Sequence, residues 1–341
     1  MIFEYPLIIV SFVLSLIFVF FLMPYWIKRA KKVSLVGKDM NKVDKREVAE
    51  LGGIIVLFAF ILGTLFYIAV DIFFIEHTDI TSLLSRDLTI MAALATILLV
   101  GIIGIVDDIL GWKIGLRQMQ KPFIVLFAAL PMVVVNAGVS TFALPLIGEI
   151  NIGFLFPLLI IPIAISAAAN GFNMLAGYNG LEAGMGIIIL SILSFLAWQN
   201  NSPHIAVMAL CVVFALLAFY YFNKYPAKVF PGNTLTYSVG AMIAVVAITA
   251  NLERAALFLF IPYFIELVLK ARGKMQKESF AKVNDDGSLE APYKKVYGLE
   301  HISLKLLNKI KTKVYEKDVV YSLFAFEILL GTIYLGFKAV V

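Results

Sequence analysis

Four polar clusters interrupt an apolar chain, and each carries residue types suited to phosphate or metal chemistry. Asp107 and Asp108 stand side by side after an uncharged run from Thr89 to Ile105. Paired carboxylates can hold a divalent cation, face a basic partner or move a proton. Here they end a helical run, where carboxylates oppose the negative end of the helix dipole. A cation or a basic residue is therefore expected beside them; the plainer alternative is a pair of solvated loop acids. The segment NGFNMLAGYNGLEAG (170–184) sets Asn170, Asn173 and Asn179 among Gly171, Gly177 and Gly180. Glycine lets a backbone approach a ligand closely, and an Asn amide offers both a donor and a carbonyl ligand. Asn173 is a candidate oxygen ligand for Mg²⁺, against the alternative of a Gly/Asn turn between two helices. In KVFPGNTLTY (228–237), Phe230 precedes Pro-Gly-Asn-Thr at a helix start. Free N–H groups there suit an anion, and the ring suits a base. The fourth cluster is GKDMNKVDKREVAE (37–50).

Elements that position such groups must be membrane helices. The 341 residues are 61% hydrophobic and 15% charged, with mean hydropathy +0.94. Soluble domains carry roughly 25% charge, so the composition excludes an ordinary soluble enzyme. Long uncharged runs satisfy their backbone only as helices in lipid. About ten spans are expected, near 5–27, 51–75, 88–106, 119–137, 154–170, 182–199, 204–222, 235–251, 255–270 and 318–338. They form one integral-membrane domain over 1–341, an all-α polytopic fold with cytoplasmic site loops. GVSTFALPLIGEINIG alternates as a small extramembrane β-hairpin does. Glu4 stands where a cleavable signal would be basic. The lone Cys211 excludes an internal disulfide and is expected to pack.

Charge sets the expected topology. With both termini outside the cell membrane, the inside regions are 28–50, 107–118, 171–181, 223–234 and 271–317. With Lys121 and Lys270 at their edges, these hold 25 of the 28 Lys and Arg residues. Cytoplasmic loops carry such an excess. All four polar clusters fall on this face, which points to a shared site. Arg117, Arg272, Lys274 and Lys277 are candidate phosphate binders on the same side. The residues thus describe a cytoplasm-facing, Mg²⁺-dependent site for a nucleotide or diphosphate. A transporter is the rival class, but transporters place binding groups at the bilayer midplane, whereas charges here lie mostly near span ends.

These motifs resemble those of the polyprenyl-phosphate N-acetylhexosamine-1-phosphate transferases, over nearly the whole chain. VDDILGW is similar to the family's Asp-Asp signature. NGFNMLAGYNGLEAG resembles the signature of the dolichol branch found in eukaryotes and archaea; bacterial cell-wall branches carry Asp at the positions of Ala176 and Asn179. KDMNKVDKREVAE resembles that branch's first inside loop, with Glu50 at its acidic position. The resemblance implies transfer of GlcNAc-1-phosphate from UDP-GlcNAc to a polyprenyl (dolichyl) phosphate, with UMP released; a sister enzyme using another UDP-sugar is the alternative. It implies Asp107 and Asp108 at the lipid phosphate and the metal. Mg²⁺, with Mn²⁺ as the alternative, is expected on Asn173 and Asn233. Gly177 and Asn179 are expected at uracil with Phe230 stacked on it, and Glu50 and Arg117 beside the diphosphate. The family usually has Lys at the position of Arg117 and Asp at that of Asn233, and its His-containing motif has no clear counterpart here. Expected partners are UDP-GlcNAc, the lipid phosphate and the bilayer, with no nucleic acid and a homodimer left open.

Three further segments carry expectations. NDDGS reads as a turn between short strands. Residues 303–317 place Leu304, Leu307, Ile310 and Val314 at helical spacing among lysines, as in an amphipathic helix on the inner membrane surface. His301 opens a helix on the inner side, and His77 and His204 belong to the outer side.

Overall fold

The computed structural model describes residues 7–74, 80–114, 120–144 and 148–340. Arg117 and His77 lie outside them. Among the described residues, eight helices are long and apolar enough to cross a membrane. They lie in α1 (Leu7–Lys32), α2 (Gly53–Phe74), α3 (Ile80–Ile114), α6 (Ile161–Met174, with a preceding π turn), α7 (Leu181–Gln199), α8 (Pro203–Asn223), α9 (Gly232–Thr249) and α13 (Glu316–Val340). The spans expected at 119–137 and 255–270 are each broken in two: α4 (Gln120–Ala128) with α5 (Leu130–Val134), and α10 (Glu253–Leu259) with α11 (Ile261–Arg272). Pro131 and Pro262 sit in the first turn after each break, where a missing N–H costs nothing within the new helix.

The centre of the bundle is α9. Every residue from Thr234 to Ile248 is buried, as expected of a helix apolar on all sides. It packs against α3, α6, α2, α7 and α8. Peripheral helices keep large apolar side chains on the outside, Phe21 of α1 being 71% exposed; that face suits lipid.

Among the described residues, three small antiparallel strand pairs decorate the helix ends: β1 (Val36–Lys38) with β2 (Glu47–Ala49), β3 (Thr141–Leu144) with β4 (Gly148–Asn151), and β5 (Lys282–Val283) with β6 (Leu289–Glu290). The second and third are the hairpins expected around GVSTFALPLIGEINIG and NDDGS. The expected helix over 303–317 is not formed as one element. Helix α12 (Leu299–Leu307) ends early and residues 308–315 turn back. Leu289 N–H bonds Val314 C=O at 2.7 Å, and Val314 is buried while Ile310 is 82% exposed. A continuous helix would carry Val314 away from β6, so the tertiary backbone bond prevails over the local apolar period. Cys211 is buried and free, as expected.

Candidate active site

A helix N-terminus buried in a bundle leaves backbone N–H groups that must find acceptors. Helix α9 begins at Gly232 beside the end of α3, and Asp108 of α3 supplies the acceptor. Its Oδ1 accepts from Asn233 N–H (2.8 Å); its Oδ2 accepts from Thr234 N–H (3.0 Å) and Thr234 Oγ1 (2.9 Å). Gly232 has φ +70°, and a Cβ there would lie 2.5 Å from Asp108 Oδ2, so only glycine admits this carboxylate. The anion expected at this helix start is thus, in the structure, a side chain of the protein. Asp107 is 4% exposed. Its Oδ2 accepts from Asn233 Nδ2 (2.9 Å) and pairs with Lys121 Nζ of α4 (2.6 Å). The basic partner anticipated for the acidic pair is therefore Lys121, which the sequence had marked only by its side of the membrane.

Asn173, near the end of α6, faces α9: its Oδ1 accepts from Thr236 Oγ1 (2.7 Å). The loop bearing Phe230 is stitched to the first inside loop by Phe230 N–H to Ala49 C=O (2.7 Å) and Gly52 N–H to Phe230 C=O (3.0 Å). Those bonds set Phe230 beside Glu50. Burial first, and the charge of Asp108 second, raise the Glu50 carboxyl above its ordinary value. Gly177 has φ +103° and the Phe280 ring lies against it, a backbone conformation that L side chains rarely adopt. Its N–H donates to Glu182 Oε1 (2.9 Å), and its C=O accepts from Asn41 Nδ2 (3.0 Å).

Asp108, Asn173, Gly177, Phe230 and Glu50 share one cavity of about 480 Å³, and Asp107 lies behind its lining residues Asp108 and Asn233. Its wall unites Lys38 and Glu50, Asp108, Asn173 with Gly177 and Asn179, Phe230 with Asn233, and Phe280. Every one of the five expected inside regions contributes. Its lining holds carboxylates, amides, aromatic rings and one lysine, Lys38; the rings suit a planar group, and the carboxylates suit an anionic ligand only together with a cation. The oxygen donors of Asn173, Asn233 and the Asp pair are of the hard type that Mg²⁺ takes. Among the described residues no group of three His, Cys, Asp or Glu side chains could hold a metal by itself.

Arg272, Lys274 and Lys277 are not brought to this wall. All three are exposed, and Lys277 Nζ lies 5.1 Å over the Tyr293 ring. Left-handed turns at Lys274 and Met275 (φ 55° and 58°) follow the end of α11, and the lysine that turns inward is Lys270, which bonds Ser279 Oγ and faces Glu266. His301 is buried in α12; its Nε2 meets Ser279 C=O at 3.2 Å and its Nδ1 accepts from Tyr297 N–H. It fastens the last inside loop. Asp39, Asn41, Lys42, Phe280 and Glu316 were not singled out from sequence. Asp39, Asn41 and Lys42 lie within the quoted first-loop segment, whereas nothing local marks Phe280 or Glu316.

Comparison with known proteins agrees with this arrangement. Residues 90–251, which hold the Asp pair, the Asn/Gly segment and Phe230, match the model of glycosyl transferase family 4. A protein of Saccharolobus solfataricus, provisionally named a UDP-N-acetylglucosamine–dolichyl-phosphate N-acetylglucosaminephosphotransferase, is 39% identical over 85% of each chain. One of the same provisional name from Sulfolobus acidocaldarius is 33% identical over 98% of this chain and 95% of its own. The enzyme of that name from Dictyostelium discoideum is 27% identical over 70% of this chain and 65% of its own. The chain belongs to glycosyl transferase family 4, within its archaeal and eukaryotic branch.

Proposed function

We propose that this protein transfers GlcNAc-1-phosphate from UDP-GlcNAc to a dolichyl or other polyprenyl phosphate, releasing UMP, from the cytoplasmic face of the cell membrane. The observation that carries the reading is the single cavity joining Asp108, Asn173, Asn179, Phe230 and Asn233 at the ends of apolar helices. A lipid phosphate held at the interface and a water-soluble sugar nucleotide meet only at such a place. The names of the relatives supply the substrate pair, and the 25 basic residues on the inside regions support the orientation, with both termini outside.

In the reaction, an oxygen of the lipid phosphate attacks the β-phosphorus of UDP-GlcNAc. The bond from that phosphorus to the oxygen bridging it to the α-phosphate breaks, and UMP leaves. Phosphoryl transfer asks mainly for alignment and charge neutralisation. The lipid phosphate is largely dianionic near pH 7, so no strong base is required. Asn173 and Asn233 would hold Mg²⁺ or Mn²⁺, with the Asp pair nearby. When bound, the cation would neutralise diphosphate charge. Lys121 fixes Asp107, the N-terminus of α9 fixes Asp108, and Phe230 seats the base.

Purified protein with dolichyl phosphate, Mg²⁺ and a panel of sugar-labelled UDP-sugars tests the reading. Label from UDP-GlcNAc is expected in the lipid phase, with UMP and not UDP released. No transfer from UDP-GlcNAc overturns it. Phe230→Ala is expected to weaken UDP-GlcNAc and UMP binding together, by roughly 5- to 150-fold, since base–aromatic stacking is worth about 1–3 kcal/mol. Calorimetric titration with UMP checks this, and unchanged affinity would show that the ring does not hold the base.

A further inference from the structure

Asn179 is 5% exposed, and each side of its amide has a partner of one kind only. Its Oδ1 accepts from the Ala227 backbone N–H at 3.1 Å. Its Nδ2 donates to Asp39 Oδ2 (3.0 Å) and Glu316 Oε1 (2.7 Å), and its backbone N–H donates to the same Glu316 oxygen (2.6 Å). Lys42 Nζ ties the two acids together: it lies 3.1 Å from Asp39 Oδ2 and pairs with Glu316 Oε2. Tyr225 closes the network with its ring 4.6 Å from the same ammonium. A carboxylate only accepts and a backbone N–H only donates. Turning the amide over would press NH₂ against the Ala227 N–H and the carbonyl oxygen against two carboxylates. One orientation is thus imposed by the chemistry of the partners.

That orientation matters because Asn179 lines the same cavity as Phe230. Both Nδ2 hydrogens are used inside the protein, and Oδ1 retains one lone pair. Toward a base in the cavity, Asn179 is therefore an acceptor. Uracil presents a donor at N3, and cytosine presents an acceptor at the same position. An amide free to turn would match N3 of either base; a fixed acceptor matches N3 of uracil and not that of cytosine.

We propose that Glu316, acting through Asn179, makes the base seat choose uracil over cytosine. Glu316 opens the C-terminal helix α13 and is not on the cavity wall. It is a positioning residue, and Asp39 and Lys42 complete its hold. The inference rests on the uridine-nucleotide reading above and adds a determinant of which nucleotide is accepted.

The test is binding of UMP and CMP to the purified full chain by calorimetry, in the parent, Glu316→Ala and Glu316→Gln. The parent is expected to prefer UMP. Glu316→Ala removes one of the two acceptors of the amide NH₂ and the acceptor of the Asn179 backbone N–H, so the ratio of CMP to UMP dissociation constants should fall by up to about tenfold, the worth of one unmatched hydrogen-bonding group. Glu316→Gln keeps the shape and an accepting oxygen but adds a donor, which removes one of the two carboxylates that oppose a turned amide, while Asp39 and the Ala227 N–H remain. Its ratio should fall too, by less. A merely structural role would weaken UMP and CMP alike. A ratio within about twofold of the parent in both folded variants overturns the proposal, and Glu316→Gln alone decides it if Glu316→Ala does not fold. A parent protein that binds UMP no better than CMP overturns the uridine-nucleotide reading itself, a result distinct from loss of the Glu316 effect.

Discussion

Asp107→Asn and Asp108→Asn should each lower turnover by about 10²-fold or more at saturating substrates, as expected when a group stabilising charge in a transition state is lost. The structure makes the comparison informative, because it gives each carboxylate a structural duty as well. Asp108 accepts three hydrogen bonds from the start of α9. An Asn there keeps one acceptor and turns NH₂ toward N–H donors. Its stability cost should be about 1–2 kcal/mol, the usual worth of a helix cap, seen as a lowered Tm. Asp107 pairs with Lys121 and Asn233; an Asn carbonyl can still accept from Lys121, so its Tm should move less. Turnover and Tm, measured side by side, separate the two duties. If Tm falls while turnover at saturation stays near that of the parent, the acids serve the fold and not the chemistry.

The second large effect is expected at Asn233. Its Nδ2 donates to Asp107 Oδ2 at 2.9 Å, and Oδ1 is the atom left for a cation. Asn233→Asp would set two carboxylates within hydrogen-bonding distance of each other, and like charges so close cannot both ionise unless a cation or proton joins them. This variant should bind Mg²⁺ in the absence of nucleotide, where the parent is expected to bind it weakly, while still turning over. Asn233→Ala removes the oxygen and the amide that bonds Asp107; it should require much more Mg²⁺ for half-maximal activity. Titration of Mg²⁺ against substrate-free binding and against turnover reads both variants. An Asn233→Ala protein that follows the parent's curve would remove Asn233 from the set of metal ligands.

Much of the site was legible because membrane sequences separate polar from apolar so sharply. Asp108, Asn173, Asn179, Phe230 and Glu50 all lie on one cavity wall; the first four had stood out as polar or aromatic residues beside apolar runs, and Glu50 through the resemblance of the first inside loop. The need for a partner at the acidic pair followed from helix electrostatics alone. Its identity did not, because Lys121 meets Asp107 through the packing of α4 beside α3, and no spacing in the chain encodes that contact.

Glu316 lies 137 residues from Asn179 and opens a span with no motif around it. The three lysine and arginine side chains expected at the phosphate site are exposed, and the neighbouring Lys270 turns inward to Ser279 and Glu266.

By itself, the sequence determined the membrane class, the positions of the long helices, the two hairpins and the chemistry of the polar clusters. Those depend on local period, composition and residue type, which are properties of short stretches. Only the tertiary structure decided which anion caps α9, which cation faces Asp107, where α12 stops and how the Asn179 amide is turned. Each of those outcomes is a choice among competing partners brought together from distant parts of the chain. A buried donor goes to whichever acceptor packing leaves within about 3 Å, and that is fixed by how helices cross rather than by what any one of them contains.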